Sequence, residues 1–311
     1  MILSVSRRTD IPAFYSEWFY HRMKEGYVLV RNPMNAHQVS RIDLSPSVID
    51  MIVFWTKNPK ELMKNLDQIQ QYPYYFQFTL NGYGNQIEKH VPENKEIIET
   101  FQKLSSLTGK KRVIWRYDPI LLTSNIGIEE HITAFSDLAK QLEGYTEKCV
   151  FSIVDLYRKT ERNLKGLHLR GISKEKAFNL ALEMKSIGEK YGITLETCSE
   201  YMGFDSIGIE HGKCIDDVLI SELLNEKLTL KKDRNQREIC GCVESIDIGA
   251  YHTCKHLCRY CYANYSEKTV RNNLAKHDVE SPFLLGTHMP DDKITERKMV
   301  SYRFKQLSLF D

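Results

Sequence analysis

The chain carries almost no excess charge: 43 Lys and Arg stand against 41 Asp and Glu, a formal net charge of +2. No global basic field therefore marks a nucleic-acid binder, and such a contact would have to rest on a local patch. No apolar run approaches the ~20 residues that a membrane span requires, so no membrane association is expected. The opening MILSVSRRTD has no charged leader ahead of a long apolar stretch. No signal peptide is read there, and the expected location is cytoplasmic. Disulfides are rare in that compartment, so the eight cysteines call for metal binding, catalysis or burial. Internal repeats and low-complexity tracts are lacking too.

What the first two hundred residues do contain is one recurring pattern. A short β-branched or aromatic run ends in a polar cluster, and a helix-like stretch follows. The runs are ILSVS before Arg7-Arg8-Thr9-Asp10, YVLV before Arg31-Asn32-Pro33, and MIVFW before Thr56-Lys57-Asn58-Pro59. YYFQFTL then precedes Asn81, RVIW precedes Arg116-Tyr117-Asp118-Pro119, CVFSIV precedes Asp155, and ITLETC precedes Ser199-Glu200. Continuous apolar runs suit strands covered on both faces, as in a parallel sheet. Residues 128–143 and 173–191 have helical spacing, with Ser173 as N-cap and Gly192 as C-terminal stop. Seven such units, with an eighth strand near 243–248, predict an α/β fold of the (β/α) barrel type, full or partial. A doubly wound open sheet has the same periodicity and stays open as an alternative. In a barrel the polar strand ends share one mouth. This makes Arg116, Asp118, Asp155 and Glu200 candidate catalytic residues and Lys57 and Arg31 candidate cofactor-binding residues. Asn-Pro and Asp-Pro also make ordinary turns, which is the bland account of the same clusters. The expected organisation is a barrel domain over 1–237, a cysteine-rich cluster-binding segment over 238–265, and a tail over 266–311.

The segment from Cys240 to Tyr265 reads CGCVESIDIGAYHTCKHLCRYCYANY. Within it Cys254, Cys258 and Cys261 have the spacing C-x3-C-x2-C. Thiolates are soft ligands that suit iron–sulfur clusters or zinc. Structural zinc normally takes four ligands. Three close thiolates favour instead a cubane cluster with one open iron. A zinc loop or unligated core cysteines remain the alternatives.

With Tyr260 ahead of Cys261, this stretch is similar to the C-x3-C-x-aromatic-C motif of radical S-adenosylmethionine enzymes. The resemblance implies a [4Fe–4S] cluster on Cys254, Cys258 and Cys261, with S-adenosylmethionine chelating the free iron beside Tyr260. Reductive cleavage to a 5′-deoxyadenosyl radical would follow, fed by a reducing partner such as flavodoxin or ferredoxin. The family uses full or partial (β/α) barrels. More widely, SVSRRTDIPAFY, VFWTKNP, IWRYDPI, FSIVDLYRKT and DIGAYHTCKHLCRYCYAN resemble a prokaryotic domain-of-unknown-function family with a radical-S-adenosylmethionine-like C-terminal cysteine cluster. Two features depart from the usual motif. It begins at residue 254 rather than near the N-terminus, and no Gly-Gly pair is present to receive the methionine amino group. Neighbouring first and last strands of a barrel would bring a late loop to the same mouth.

Cys198, Cys214, Cys240 and Cys242 form a second candidate group, for another iron–sulfur cluster or zinc. Buried small hydrophobes are the competing account for Cys198 and Cys214. Cys149, inside an apolar run, is expected in the core. His211, His252 and His256 lie close to cysteines, where they would tune a cluster or shuttle protons, or serve as caps.

The chain ends in Gln306-Leu307-Ser308-Leu309-Phe310, which resembles the peptide by which bacterial polymerases and repair proteins dock on the DNA sliding clamp. An apolar trio at a chain end calls for a partner, or folds back on the barrel as a latch. With docking, the expected substrate is DNA, by analogy with spore photoproduct lyase, and 297–305 and 158–165 would supply phosphate contacts. The expected activity is therefore a radical S-adenosylmethionine-type reaction in DNA repair or modification. A radical enzyme on a small molecule or peptide and a non-catalytic metal-binding protein are the alternatives.

Overall fold

The structure is a computed structural model that describes residues 1–154 and 162–303. Asp155, Arg158 and the whole Gln306–Phe310 peptide lie outside the described residues.

Eight parallel strands form the main sheet, in the order β10-β1-β4-β5-β6-β7-β8-β9. They are β1 (Ile2–Val5), β4 (Met51–Thr56), β5 (Tyr74–Thr79), β6 (Val113–Ile120), β7 (Lys148–Ile153), β8 (Thr194–Thr197), β9 (Glu210–His211) and β10 (Ile246–Asp247). Parallel strands need crossovers, and helices supply them. Helix α3 (Asn94–Thr108) follows β5, α4 (Ile128–Leu142) follows β6, and α5 (Lys174–Lys190) follows β7. Each buries a stripe at helical spacing: Ile97, Phe101 and Leu104 on α3, Phe135, Leu138 and Leu142 on α4, and Ala177, Leu180 and Met184 on α5. Ser173 caps α5, its hydroxyl accepting from the Lys176 N–H at 3.3 Å. Gly192 lies just beyond the helix with φ at +68°, a left-handed position that favours glycine.

The pleat divides the sheet residues between two cores, since successive side chains face opposite sides. Leu3, Val5, Ile52, Phe54, Phe76, Trp115, Cys149 and Phe151 pack under the helices. Ile2, Met51, Val53, Tyr75, Ile114 and Val150 face a second core, closed by Cys214, Ile215, Leu219, Ile220, Cys240, Cys242 and Val243. The inner face is thus filled by the chain that follows β9 and precedes β10.

Of the full or partial barrel, the structure shows the α/β fold with its large parallel sheet, and among the described residues no ladder joins β9 to β10. One expectation is corrected: the run YVLV is not a strand of the main sheet. It lies in β2 (Tyr27–Asn32), paired antiparallel with β3 (Asn35–Asp43), and β11 (Lys293–Glu296) adds to β3 in parallel. An apolar run records only that it is covered. Here the cover is Phe283, packed with Leu29 and Val39, with Leu29 N–H donating to Pro282 O at 2.9 Å. The C-terminal residues are integrated similarly, since Trp18 Nε1 donates to Ser281 O at 2.9 Å. Among the described residues no helix is long and apolar enough to cross a membrane.

Candidate functional site

The chain leaving β10 forms the cysteine loop, anchored to the carboxyl end of β1. Asp247 accepts from Ser4 Oγ at 2.9 Å, Ser6 Oγ at 2.7 Å, Arg7 N–H at 2.7 Å and Gly249 N–H at 2.9 Å. The approach is so close that a Cβ on Gly249 would lie 2.0 Å from Ser6 Oγ, so a side chain has no room there. Asp10, from the loop after β1, ties three segments together. One oxygen caps the short helix α1 (Ile11–Phe14) through Ala13 N–H at 2.9 Å. The other accepts from Lys57 N–H, just past β4, at 2.7 Å and meets His256 Nε2 at 2.9 Å. Tyr15 OH donates to Thr253 O at 2.6 Å. Adjacency of β10 and β1 thus brings a late loop to the ends of the early strands.

Cys254, Cys258 and Cys261 are gathered on this loop. Burial pushes all three thiols up, Cys254 and Cys258 with added repulsion from neighbouring cysteines and acids. Backbone N–H groups of His256 and Asp10 point at the Cys254 sulfur, and Ala263 N–H donates to Cys261 Sγ at 3.4 Å. Beside Cys258 is a buried polar knot. Lys57 Nζ meets Glu88 Oε1 at 2.7 Å, Tyr260 OH donates to the same carboxylate, and Asn81 Nδ2 donates to it at 3.0 Å. Burial raises the Glu88 carboxyl, but Lys57 with the Tyr260 and Asn81 hydrogen bonds outweighs it and holds the pKa below the ordinary value. Burial works against the Lys57 ammonium, and Glu88 with Cys258 more than offsets it. Burial and Glu88 push Tyr260 well up.

Asn81 carries the network onward, accepting from Asp118 N–H at 2.9 Å. The Asp118 carboxylate pairs with Arg116 Nη2 at 2.7 Å and accepts from Ser152 Oγ. Burial raises Asp118, and Arg116 together with the Ser152 hydrogen bond and Lys57 overcomes this to hold it low. Arg116 also donates to Cys214 Sγ at 2.8 Å, and Cys214 lies 3.3 Å from Cys198 Sγ. The Cys242 side chain interacts with both Cys214 and Cys240. One polar chain therefore runs from the cysteine triplet to the four cysteines of the second group. Among the described residues, no three His, Cys, Asp or Glu side chains already surround a common point as metal ligands.

Of the residues singled out from sequence, Lys57, Tyr260, Arg116, Asp118 and both cysteine groups come together. Glu200 stands at the end of β7, accepting from Ile153 N–H at 2.6 Å. Arg31 does not join them. It lies in the small sheet, paired with Asp292 at 2.6 Å and stacked on Phe283. Its strand belongs to the small sheet, so its strand-end position has no bearing on the mouth. Cys149 is buried under the helices as expected. Glu88 had no sequence signal, because it belongs to an irregular stretch with neither helical nor strand spacing. Asp247 was equally silent, since its role depends on strand adjacency, whereas Asp10 stands in the strand-end cluster after β1 and the structure makes it an anchor.

A cavity of about 290 Å³ borders Cys258, lined by Lys89, Arg162, Lys165 and Arg259 with Asn163 and Glu267 among its other walls. Its cations suit an anionic group.

No curated protein matches the sequence. A solved structure of a candidate alpha-L-fucosidase from Bacteroides thetaiotaomicron VPI-5482 is 10% identical, covering 58% of this chain and 82% of that one. Its TM-score of 0.25 is too low to inform fold or chemistry. Residues 2–263, which hold the main sheet and the cysteine triplet, match the profile of a domain of unknown function, DUF1848, and the chain belongs to that family.

Proposed function

We propose that this chain is a radical S-adenosylmethionine-type iron–sulfur enzyme on a partial (β/α) barrel, with Cys254, Cys258 and Cys261 as cluster ligands. The observation that carries the reading is the placement of the Cys254-x3-Cys258-x-Tyr260-Cys261 loop, with Cys258 buried and Cys254 and Cys261 half-buried, at the carboxyl ends of β1, β4 and β5. That is where parallel α/β enzymes place their chemistry. The donor set fits such a group. Three soft sulfurs share one loop, and backbone N–H groups point at two of them, as in sites where hydrogen bonds tune a cluster. Buried Thr9 Oγ1, His256 Nδ1 and Asn264 Oδ1 have no hydrogen-bond partner among the described residues.

When bound, a reduced [4Fe–4S] cluster supplies the electron that cleaves S-adenosylmethionine. The protein's own residues hold and shield. Lys57, Glu88 and Tyr260 fix the loop beside Cys258 and exclude water from it. Arg116 and Asp118, tied to each other and to Ser152, position the strand ends. The cationic cavity next to Cys258 suits a carboxylate or phosphate. Glu200, at the end of β7, is assigned to the substrate side of the mouth, and the electron comes from a small redox protein such as flavodoxin or ferredoxin.

Anaerobic reconstitution with iron and sulfide, then reduction with S-adenosylmethionine, tests this. The expected result is bound iron and 5′-deoxyadenosine, both lost when Cys254, Cys258 and Cys261 become serine. Reconstituted wild type without iron would overturn the reading.

The Gln306–Phe310 peptide favours DNA as the substrate class, reached through the sliding clamp. Pull-down of purified clamp by the full chain is expected, and its loss in Leu309→Ala/Phe310→Ala. No capture by wild type would leave a small molecule or peptide as the substrate.

A further inference from the structure

The four remaining cysteines that approach one another stand on the two sides of the sheet's open seam. Cys198 directly follows β8, and Cys214 comes three residues after β9. Cys240 and Cys242 lie on the segment leading to β10. Across this seam Val243 N–H donates to Ile215 O at 3.2 Å, and Ile215 N–H donates to Cys242 Sγ at 3.4 Å. We propose that Cys198, Cys214, Cys240 and Cys242 bind one structural Zn²⁺ as a tetrahedral tetrathiolate that closes the seam between β9 and β10.

Spacing favours a single ion. A tetrahedron with Zn–S bonds of about 2.3 Å places its sulfurs about 3.8 Å apart, and Cys198 and Cys214 stand 3.3 Å apart. Among the described residues no three such side chains yet share one point, so binding requires side-chain rotation to bring Cys240 and Cys242, each in side-chain contact within this group, onto the ion. Ligands of a cubane cluster on different irons are held much farther apart, because the inorganic core lies between them. Charge agrees. Four thiolates around Zn²⁺ leave a net charge of −2, and the buried Arg116 and half-buried Arg7 face the group. Arg116 reaches Cys214 Sγ at 2.8 Å, short for a nitrogen–sulfur contact and suited to a charged acceptor. Arg7 lies in the field of Cys242 and Cys214, and its buried Nη2 has no hydrogen-bond partner among the described residues. Thiolates would supply one. Gly241, between two of the ligands, keeps the C-x-C turn compact, since a Cβ there would press on the Lys213 side chain at 3.0 Å. Binding exchanges the thiol protons for the metal, with no redox step.

Metal analysis of the full chain, purified without chelators, is expected to give about one zinc per chain. Cys214→Ser/Cys242→Ser is expected to lose it, whereas serine at Cys254, Cys258 and Cys261 retains it. That contrast separates failure of this site from failure of the iron–sulfur reading. Zinc-edge X-ray absorption on wild type does not depend on the variants folding, and four sulfurs at about 2.3 Å are expected. Nitrogen or oxygen ligands, iron on these four cysteines, a Cys198–Cys214 disulfide, or no zinc at all would each overturn the proposal.

Discussion

Replacing Glu88 with leucine is expected to destabilise the protein by about 3–5 kcal/mol, the usual cost of leaving a buried charge without its partner. Side chains of Lys57 and Glu88 are only 11% and 4% exposed, so water cannot take over from the lost carboxylate. Lys57→Met should cost a similar amount, and the double variant Lys57→Met/Glu88→Leu should recover part of it, because an apolar pair needs no counter-charge while Tyr260 OH and Asn81 Nδ2 still lose an acceptor. Urea midpoints of the four proteins measure this. A loss below about 1 kcal/mol in each single variant, the range of exposed pairs, would show that solvent reaches the knot. The pH dependence has a definite sign. Glu88's folded pKa is lowered, so its contribution is present above the unfolded carboxyl value of about 4.3 and is lost as pH falls through the folded value. Lys57's folded pKa is raised, so its contribution is complete below about 10.4 and is lost as pH rises through the folded value. Wild-type stability should therefore fall on acidification below about pH 4, and the double variant should lack that part of the loss.

Asp10→Ala is expected to cost about 3 kcal/mol and, more tellingly, to loosen the cysteine loop. The substitution removes the cap of α1, worth about 1 kcal/mol. It also strands the Lys57 N–H in the interior, worth about 1–3 kcal/mol. His256 loses its partner at 2.9 Å at the same time. Since Asp10 joins the β1 and β4 loops to the Cys254–Cys261 loop, maleimide labelling of those three thiols in metal-free protein should accelerate beyond the change in global unfolding. Asp10→Asn should be intermediate, because its one carbonyl oxygen can keep the cap or the Lys57 bond but cannot replace both acceptors. Labelling that tracks global stability alone would remove Asp10 from the loop's support.

Much of the architecture was legible as rhythm. Ile2–Val5, Met51–Thr56, Tyr74–Thr79, Val113–Ile120, Lys148–Ile153 and Thr194–Thr197 are strands where apolar runs pointed to them. Helix Lys174–Lys190 begins after its serine cap as expected. Tyr27–Asn32 shows the limit of such reading. Its apolar residues answer to burial, and burial under Phe283 in a small sheet looks the same in sequence as burial in a large one. The site followed the same division. Cys254, Cys258 and Cys261 announce themselves by local spacing, because ligands on one loop must be near in sequence. Glu88 is silent, because its role exists only where Lys57, Asn81 and Tyr260 converge from three other segments.

The sequence by itself determined the α/β class, the order of its strand–helix units and the identity of the compact thiol loop. These depend on periodicity and on contacts within a few residues, which a linear pattern records directly. Tertiary structure decided the rest. It paired β10 with β1, which carries a loop from residue 254 onward to the strand ends near residues 6, 57 and 81. It also brought Cys198, Cys214, Cys240 and Cys242 to one seam and removed Arg31 from the mouth. Strand adjacency arises from packing whole faces against each other, and that energy is shared among residues too far apart in the chain for any local spacing to encode.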